Sequence, residues 1–317
     1  MERKNKILLC FLVLLISACE KQRFLNVPFT DLQYVVNGLF TPGESCLIEI
    51  SRSQYLNDTS DVNNVSNAKV SLFEDDRLLE ILSYTAPNFG QNLGNYTSSF
   101  SNFALGKKYA IRIETETNEL LTSSDVIPIE RAEANDFSAP TNADSNDKDL
   151  NFEVTLKQSG SAKQYFHFLL EQRWVEYSIS QGDTIFTYNS WFSKAITPNQ
   201  DPEGFIPTPS EPFRLRAGGK LQGIMLDNQN FTALAKLVRF TASNSAPILP
   251  NSFLESRILL RSVSANYFDY YFSSSQYFRT KSIPLTEPII IASNITNALG
   301  NFSGYYTDTS KIARTFH

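Results

Sequence analysis

The chain has 317 residues, of which 42% are hydrophobic, 13% aromatic and 19% charged, and its formal net charge is -5. This composition is that of a globular protein long enough for two domains, and the abundance of Phe and Tyr favours strands over helices. No basic face is evident in this acidic chain, which argues against nucleic acid as a partner.

The N-terminal residues form a short apolar leader. Residues 1–6, MERKNK, carry a positive excess, and residues 7–18, ILLCFLVLLISA, are mostly apolar. This run is too short to span a bilayer, which needs about 20 residues, but it fits the apolar part of a secretory signal. Ile16-Ser17-Ala18-Cys19 resembles the bacterial lipobox, in which small residues permit cleavage and the cysteine carries diacylglycerol. We therefore predict a signal peptide at 1–18 and lipidation at Cys19. The alternative is an ordinary signal peptide with an incidental cysteine.

The next segments predict a tether and then a β-domain. Residues 19–30 carry the lipidated cysteine and lead into residues 31–130, where short apolar and alternating runs are separated by turn signals. The runs LQYVVNGLF and SCLIEISRS flank the turn TPGE at 41–44 and predict a hairpin, and AKVSLFED alternates with period two. Repeated short strands of this kind indicate a β-sandwich.

The second half predicts another β-rich domain. Residues 131–149 are polar, acidic and poor in large apolar groups, which is typical of a linker or domain seam. Residues 150–317 then resume the strand pattern, with a hairpin turn at 180–183, and Gly300 and Gly304 are expected at turns or bulges before a last strand. The segment ANYFDYYFSSSQYF, about 265–278, predicts one Tyr-rich helix. Its aromatic and Ser side chains on one face are Tyr267, Tyr270, Tyr271, Ser274, Tyr277 and Phe278.

The residues that carry chemistry are few. After removal of the leader with Cys10, Cys46 is the only body cysteine, so a disulfide within one chain is excluded. We expect Cys46 to be a small buried residue, with a reactive thiol as the alternative reading. His167 lies among aromatic residues in YFHFLL and is interpreted as a packed or half-exposed strand residue. A nucleophile–histidine pair needs an imidazole nearby, and zinc needs three or four ligands. The sequence therefore predicts no catalytic residue, no metal site and no cofactor.

Acidic residues leave two alternatives open. Glu74, Asp75 and Asp76 cluster at a predicted hairpin turn and are interpreted as solvated, although composition alone does not rule out a carboxylate-based hydrolase. Asp144, Asn146 and Asp147 lie close together and offer oxygen ligands for calcium, but their spacing does not match an EF-hand loop.

An aromatic segment is the candidate ligand-binding site. TYNSWF, residues 187–192, places Tyr188, Trp191 and Phe192 beside a proline-rich excursion. Exposed aromatic rings bind sugars and anchor protein interfaces, although ordinary packing is the alternative. The preceding Asp183-Thr184-Ile185 also matches a short bacterial O-glycosylation acceptor pattern.

The order of these features resembles a family of Bacteroidota lipoproteins grouped as domain of unknown function 4249. The matching segments are YVVNGLFTPGESCLIEISRSQ, VSNAKVSLFED, GNYTS, LGKKYAIRIETE, NYFDYYFSSSQYF and SNITNALGNFSGYY, which span about residues 20–310. The first domain also resembles transthyretin-like or carboxypeptidase-regulatory-like sandwiches. The resemblance implies a cell-envelope lipoprotein, often encoded near TonB-dependent outer-membrane receptors, and it implies no established activity.

The sequence thus predicts a mainly β protein: an Ig- or transthyretin-like sandwich, then a β-rich domain with one Tyr-rich helix. We expect a non-catalytic, outer-membrane-anchored accessory or binding component of an envelope complex, with a TonB-dependent receptor as a candidate partner. The alternative is a surface glycan- or peptide-binding lipoprotein that uses the aromatic segment. Which face of the outer membrane the body occupies stays open, because only Glu20 among the residues just after Cys19 is acidic.

Overall fold

A computed structural model describes residues 31–54, 63–87, 94–142, 149–160, 162–198, 206–207, 223–228, 234–243, 251–280, 287 and 289–316. Within these residues the contacts of Gln33–His317 define one unit. The strands of its first half are β1 (Tyr34–Phe40), β2 (Leu47–Arg52), β3 (Lys69–Glu74), β4 (Arg77–Ile81), β5 (Ser83–Thr85), β6 (Asn95–Thr97), β7 (Lys108–Glu114), β8 (Leu120–Val126) and β9 (Ala132–Ser138).

The later elements are mostly strands as well. They are β10 (Asp149–Gln158), β11 (Tyr165–Ser180), β12 (Asp183–Tyr188), β13 (Phe192–Lys194), β14 (Thr197–Pro198), β15 (Ile206–Pro207), β16 (Ile224–Asp227), β17 (Ala235–Ser243), β18 (Ser252–Val263), helix α1 (Ala265–Thr280), β19 (Leu299–Thr309) and β20 (Ala313–Phe316). The predicted mainly β fold class is confirmed, and the described part of the chain has one helix, where the tyrosine spacing indicated it.

One long sheet joins both halves of the chain. Its strand order is β15-β16-β11-β18-β19-β1-β2-β6-β5, and β12, β13 and β20 pair beside this path. The halves meet where β1 pairs in parallel with β19, with Val36 opposite Gly300 and Phe40 opposite Gly304. Two small sheets, β4-β3-β7-β8 and β14-β17-β10-β9, complete the β structure.

Both small sheets pack on the same face of the long sheet. Paired residues in a ladder point to one side and successive residues alternate, so Phe166, Leu260 and Phe302 share a face through the β11–β18–β19 register. These side chains belong to the two largest buried apolar clusters, one beneath each small sheet. We call the two sheet-on-sheet contacts the apolar seams.

Helix α1 packs on the opposite face of the long sheet. His167 and Arg261 are cross-strand partners on that face, and Tyr267, Tyr270 and Tyr271 of the helix are buried against it. The Oγ atom of Ser264 accepts a hydrogen bond from the backbone N–H of Tyr267 at 3.2 Å and caps the helix. We call this contact the helix seam.

The predicted turns are confirmed in their chemistry. Asp75 and Asp76 join β3 to β4 with φ values of 44° and 68°, and Gln181 and Gly182 join β11 to β12 with φ values of 54° and 92°. Two consecutive residues with positive φ form the two-residue turn that matches strand twist. The 41–44 turn likewise joins the antiparallel pair β1–β2.

Two expectations need correction. Residues 132–138 of the predicted linker are strand β9, which pairs with β10; its small residues Ala132 and Ala134 face a buried cluster. Gly300 and Gly304 precede the last strand, β20, as expected, but they lie within strand β19 and not at a turn. A Cβ atom on Gly300 would stand 2.0 Å from the carbonyl oxygen of Val36, and its φ is 114°, so close approach of β1 requires glycine here.

Candidate functional site

The lipidation candidate Cys19, the predicted signal peptide and the tether up to residue 30 lie outside the described residues. The calcium candidates Asp144, Asn146 and Asp147 lie outside them too. Among the residues that the structure describes, no group of three His, Cys, Asp or Glu side chains is placed to hold a metal ion.

The predicted aromatic segment is divided between two faces of the sheet. Tyr188 ends β12 opposite Val175, whereas Phe192 begins β13 opposite Gln172. Val175 and Gln172 are three residues apart on β11, so their side chains lie on opposite faces of the sheet. Their partners Tyr188 and Phe192 therefore point to opposite sides as well. Trp191 lies on the Tyr188 side, over the guanidinium group of Arg173. The structure therefore brings Tyr188 and Trp191 together and separates Phe192 from them.

Arginine side chains cover the aromatic rings. The guanidinium carbon of Arg173 is 4.5 Å from the ring centroids of both Tyr188 and Trp191, and that of Arg257 is 4.2 Å from Trp191. Cation–π contacts of this length stabilise by about 0.5–1 kcal/mol at exposed sites and more where water is excluded. Trp191 is thus held as part of the packing, while Tyr188 remains 49% exposed.

The arginines themselves form a ladder of ion pairs. Nε and Nη2 of Arg173 donate to Glu255 at 2.9 and 2.7 Å, and Nε and Nη2 of Arg257 donate to Glu171 at 2.9 and 2.6 Å. Arg314 donates to the other oxygen of Glu255 at 3.0 Å. Because the Glu255 side chain is only 2% exposed, its two oxygens take their hydrogen bonds from these arginine donors and not from bulk water. The ladder fixes the base of the β11–β12 hairpin.

Sequence reasoning missed this ladder, although a signal is present. Each of the two strands carries an acid and an arginine two residues apart, EQR at 171–173 and ESR at 255–257. In an antiparallel pair this arrangement places opposite charges across from one another, as the register Glu171↔Arg257 and Arg173↔Glu255 shows. The missing information was which strands are neighbours.

Beyond the ladder, an aromatic strip continues to the hairpin tip. The strip consists of Tyr177, Ile179, Phe186, Tyr188 and Phe316, with the buried Phe253 beneath it. Ring centroids of Phe186 lie 6.1 Å from Phe253 and 6.3 Å from Tyr188. Ile179 is 75% exposed, so the strip is open to solvent over most of its length.

The outer edge of β12 is open next to this strip. Within the described residues β12 pairs with β11 alone, and all six of its residues are exposed. In an antiparallel pair, hydrogen-bonded and non-hydrogen-bonded residue pairs alternate. The two-residue turn at Gln181-Gly182 makes Asp183 part of a hydrogen-bonded pair, so Ile185 and Thr187 also bond to β11 through their backbone groups. Those of Thr184, Phe186 and Tyr188 therefore point away from β11. A row of outward N–H and C=O groups is a template for a further strand.

His167 is fully buried in the helix seam. Its Nδ1 atom lies 2.8 Å from the hydroxyl oxygen of Tyr267, to which Arg261 donates at 3.3 Å. Burial, and then the charge of Arg261, hold the pKa of His167 well below its ordinary value. Burial also raises the pKa of Tyr267 to about 12. Both groups are neutral near pH 7, and the prediction of a packed strand residue is confirmed.

The remaining candidates have structural positions. Glu74 and Asp75 lie at the β3–β4 turn in ion pairs of 2.9 Å with Arg77 and 2.8 Å with Lys107, so the predicted hairpin turn is confirmed. Cys46 is fully buried in an apolar cluster, as expected for a small packed residue. Among the described helical residues, none forms a segment with the length and apolar character that crossing a membrane requires.

The fold and the strip define a mainly β protein built on one long sheet, with an open aromatic edge. The chain belongs to the family described as Domain of unknown function (DUF4249), whose sequence model matches residues 24–311. The resemblance of the ordered motifs to domain of unknown function 4249 is thereby confirmed. No curated protein matches the chain.

Solved structures add only remote similarities. A putative membrane anchored protein from Corynebacterium diphtheriae is 11% identical with a TM-score of 0.20, and the match covers 74% of this chain and 55% of that one, about half its length. The titin domains z1z2 in complex with telethonin are 9% identical with a TM-score of 0.18, covering 91% and 98%. An I-band fragment of titin is 12% identical with a TM-score of 0.18, covering 89% and 98%. Scores of this size carry no argument about function.

Proposed function

We propose that the protein is a lipid-anchored binding component of the bacterial outer membrane that engages a partner protein through the aromatic strip and the β12 edge. The strip supports this proposal because aromatic side chains anchor protein interfaces at low entropic cost. The outward backbone groups of β12 support an extended partner segment that adds as a strand. A TonB-dependent receptor of a Bacteroidota envelope is the partner class that we propose.

The anchor is tested by the fate of Cys19. Several acyl chains hold a protein stably on a membrane, so full-length protein should incorporate an alkyne-labelled palmitate and sediment with outer membranes. Cys19→Ser should abolish labelling and release the processed protein, whereas Cys10→Ser, within the predicted leader, should change neither. Labelled, membrane-bound Cys19→Ser protein would refute the lipid anchor.

The partner surface is tested by co-purification in a mild detergent at native expression. The wild type should recover an outer-membrane β-barrel in stoichiometric amount. Phe186→Ser removes the centre of the strip, and Thr184→Pro removes an outward N–H without touching the ladder to β11. Both should lose the barrel, and Ile290→Ser, at a site 87% exposed elsewhere, should retain it. A wild type that purifies as a clean monomer would count against the proposal.

Glycan binding is the second candidate, favoured by the 49% exposure of Tyr188. A glycan array probed with the wild type, Tyr188→Ala and Thr184→Pro distinguishes glycan binding from partner-protein binding. If the strip binds a sugar, Tyr188→Ala should lose the array signal and Thr184→Pro should keep it. Protease shaving of intact cells then decides which face of the outer membrane carries the body.

A further inference from the structure

A polar cleft opens at one end of the apolar seam beneath the β14-β17-β10-β9 sheet, where the ends of β9 and β10 meet β19. Its volume is about 230 Å³, below the roughly 300–1,000 Å³ of pockets for drug-sized ligands. The lining residues come from the adjoining ends of β9 and β10 and from β19: Arg131, Ala132, Glu133, Lys157, Gln158, Ser159, Tyr306 and Asp308.

Backbone hydrogen bonds fix the rim of the cleft. The N–H of Ser159 donates to the carbonyl oxygen of Arg131 at 2.8 Å, and the N–H of Arg131 donates to Oγ of Ser159 at 2.8 Å. The N–H of Ala132 donates to Oγ of Ser262 on β18 at 3.0 Å. These bonds tie the rim to the long sheet, so the cleft is preformed.

Two opposite charges line the cleft without forming an ion pair. Glu133 and Lys157 are ladder partners on the exposed face of their sheet, opposite to the face of Ala132 and Leu156, so their side chains point away from the seam. Arg131 and Asp308 form no ion pair with any residue that the structure describes. Both groups are therefore available to a ligand in the cleft.

Arg131 and Asp308 are each positioned by a neighbouring group. The guanidinium carbon of Arg131 is 4.8 Å from the ring centroid of Tyr306, which orients the cation. Asp308 is held by one oxygen, Oδ2, which accepts the N–H of Ala134 at 2.9 Å. The other carboxylate oxygen of Asp308 remains for a donor from the cleft.

We propose that this cleft binds a zwitterionic ligand of amino-acid size, either a free α-amino acid or the end of a short peptide. The ligand carboxylate pairs with Arg131, and its ammonium pairs with Asp308. An uncharged sugar would leave both charges unpaired, and a phosphate ester would bring negative charge beside Asp308.

The proposal is tested on the full chain purified in detergent. Each of the twenty free amino acids and the dipeptide Ala-Ala are added at millimolar concentration, and the melting temperature is recorded. At least one probe should raise it, because a ligand that binds only the folded state stabilises that state. The active probe is then compared by calorimetry with its N-acetyl and carboxamide derivatives, which should each bind about tenfold more weakly. Dipeptide binding without amino-acid binding would assign the site to peptide ends.

Variants distinguish the cleft from binding elsewhere. Asp308→Asn keeps an acceptor for the Ala134 N–H but removes the charge, and Arg131→Gln removes the cation. Each should weaken binding about tenfold, and Asp308→Asn should no longer discriminate against the N-acetyl derivative. Arg239→Gln, an exposed cation on β17 paired with Glu153, should bind as the wild type does. No effect of any probe, or equal binding by all variants, would overturn the proposal.

Discussion

On one face of the long sheet the small sheets contribute Phe, Val, Leu and Ile side chains, whereas on the other face helix α1 contributes tyrosines and serines. The strands supply both chemistries by alternation, as Phe166 and Phe168 on either side of His167 illustrate. The apolar seams are stabilised by the removal of apolar surface from water, an effect that does not depend on the direction of each contact. The helix seam also packs aromatic rings, but it adds buried hydrogen bonds such as that between His167 and Tyr267, which depend on each partner. The two faces should therefore respond differently to substitution.

The largest expected effect is in an apolar seam. Phe240 is fully buried, and its ring centroid lies 5.3 Å from that of Phe152 and 5.5 Å from that of Phe168. Phe240→Ala should lower the free energy of unfolding by about 3–5 kcal/mol, because it leaves a cavity between the two sheets. Urea unfolding measures this change. Leu237→Ala on the same strand, at a site 48% exposed, should change it by less than about 0.5 kcal/mol.

A smaller effect with a different cause is expected in the helix seam. Tyr267→Phe keeps the ring but removes the hydroxyl between His167 and Arg261. The loss should be about 1–3 kcal/mol, the cost of leaving buried polar groups unsatisfied. Tyr277→Phe, on the exposed side of the same helix, is the control in urea unfolding. If the two variants were equally stable, the hydroxyl would not be what holds the seam.

The seam should also make stability depend on pH. His167 binds a proton below about pH 6.5 when unfolded, but its lowered pKa keeps it neutral when folded. The unfolded state then binds more protons, so stability falls as pH drops below 6.5, by up to about 1.4 kcal/mol per unit. The groups that face His167 are Arg261 on β18 and the tyrosines of α1.

Unfolding experiments between pH 7.5 and 5 with His167→Gln isolate this contribution. The variant should lose about 1–2 kcal/mol less than the wild type over this range. His317→Gln changes the only other histidine and should follow the wild type. Asp125, whose pKa burial raises, acts in the opposite sense but is present in all three proteins. Parallel pH profiles for wild type and His167→Gln would contradict the assignment.

Local patterns in the sequence predicted much of this architecture. The pairing of strands that are distant in the sequence could not be predicted in the same way. Turn residues such as Gln181-Gly182 and the tyrosine spacing of α1 act within a few residues, so hairpins and helix were predictable. The parallel pair β1–β19 joins segments more than 250 residues apart and leaves no local pattern. Strand β9 was missed because its core residues, Ala132 and Ala134, are small.

The candidate sites show the same difference between local sequence patterns and contacts between distant segments. Tyr188 and Trp191 were found because aromatic residues in a polar context stand out, but their arginine partners lie on strands whose pairing the sequence does not reveal. The polar cleft depends on Arg131, Gln158 and Asp308 meeting from three separate segments. Such a site is visible only once the strand order is known.

The smallest predicted effect is an increase in stability, produced by a substitution in the helix seam. Oγ of Ser274 is fully buried and has no hydrogen-bond partner among the described residues. Ser274→Ala removes this unsatisfied group and raises helix propensity, so we expect the free energy of unfolding to increase by about 0.5 kcal/mol.

The neighbouring Ser273 is the matched control for that gain. Its Oγ accepts the backbone N–H of Ala292 at 2.8 Å and donates to the carbonyl oxygen of Asp269 at 2.6 Å. Ser273→Ala gains the same helix propensity but leaves the Ala292 N–H without its acceptor, so stability should fall by about 1 kcal/mol. Urea unfolding of the two variants in parallel measures the difference. Opposite signs for adjacent serines would show that the stability of helix α1 depends on particular hydrogen bonds, while equal changes would mean that helix propensity alone governs it.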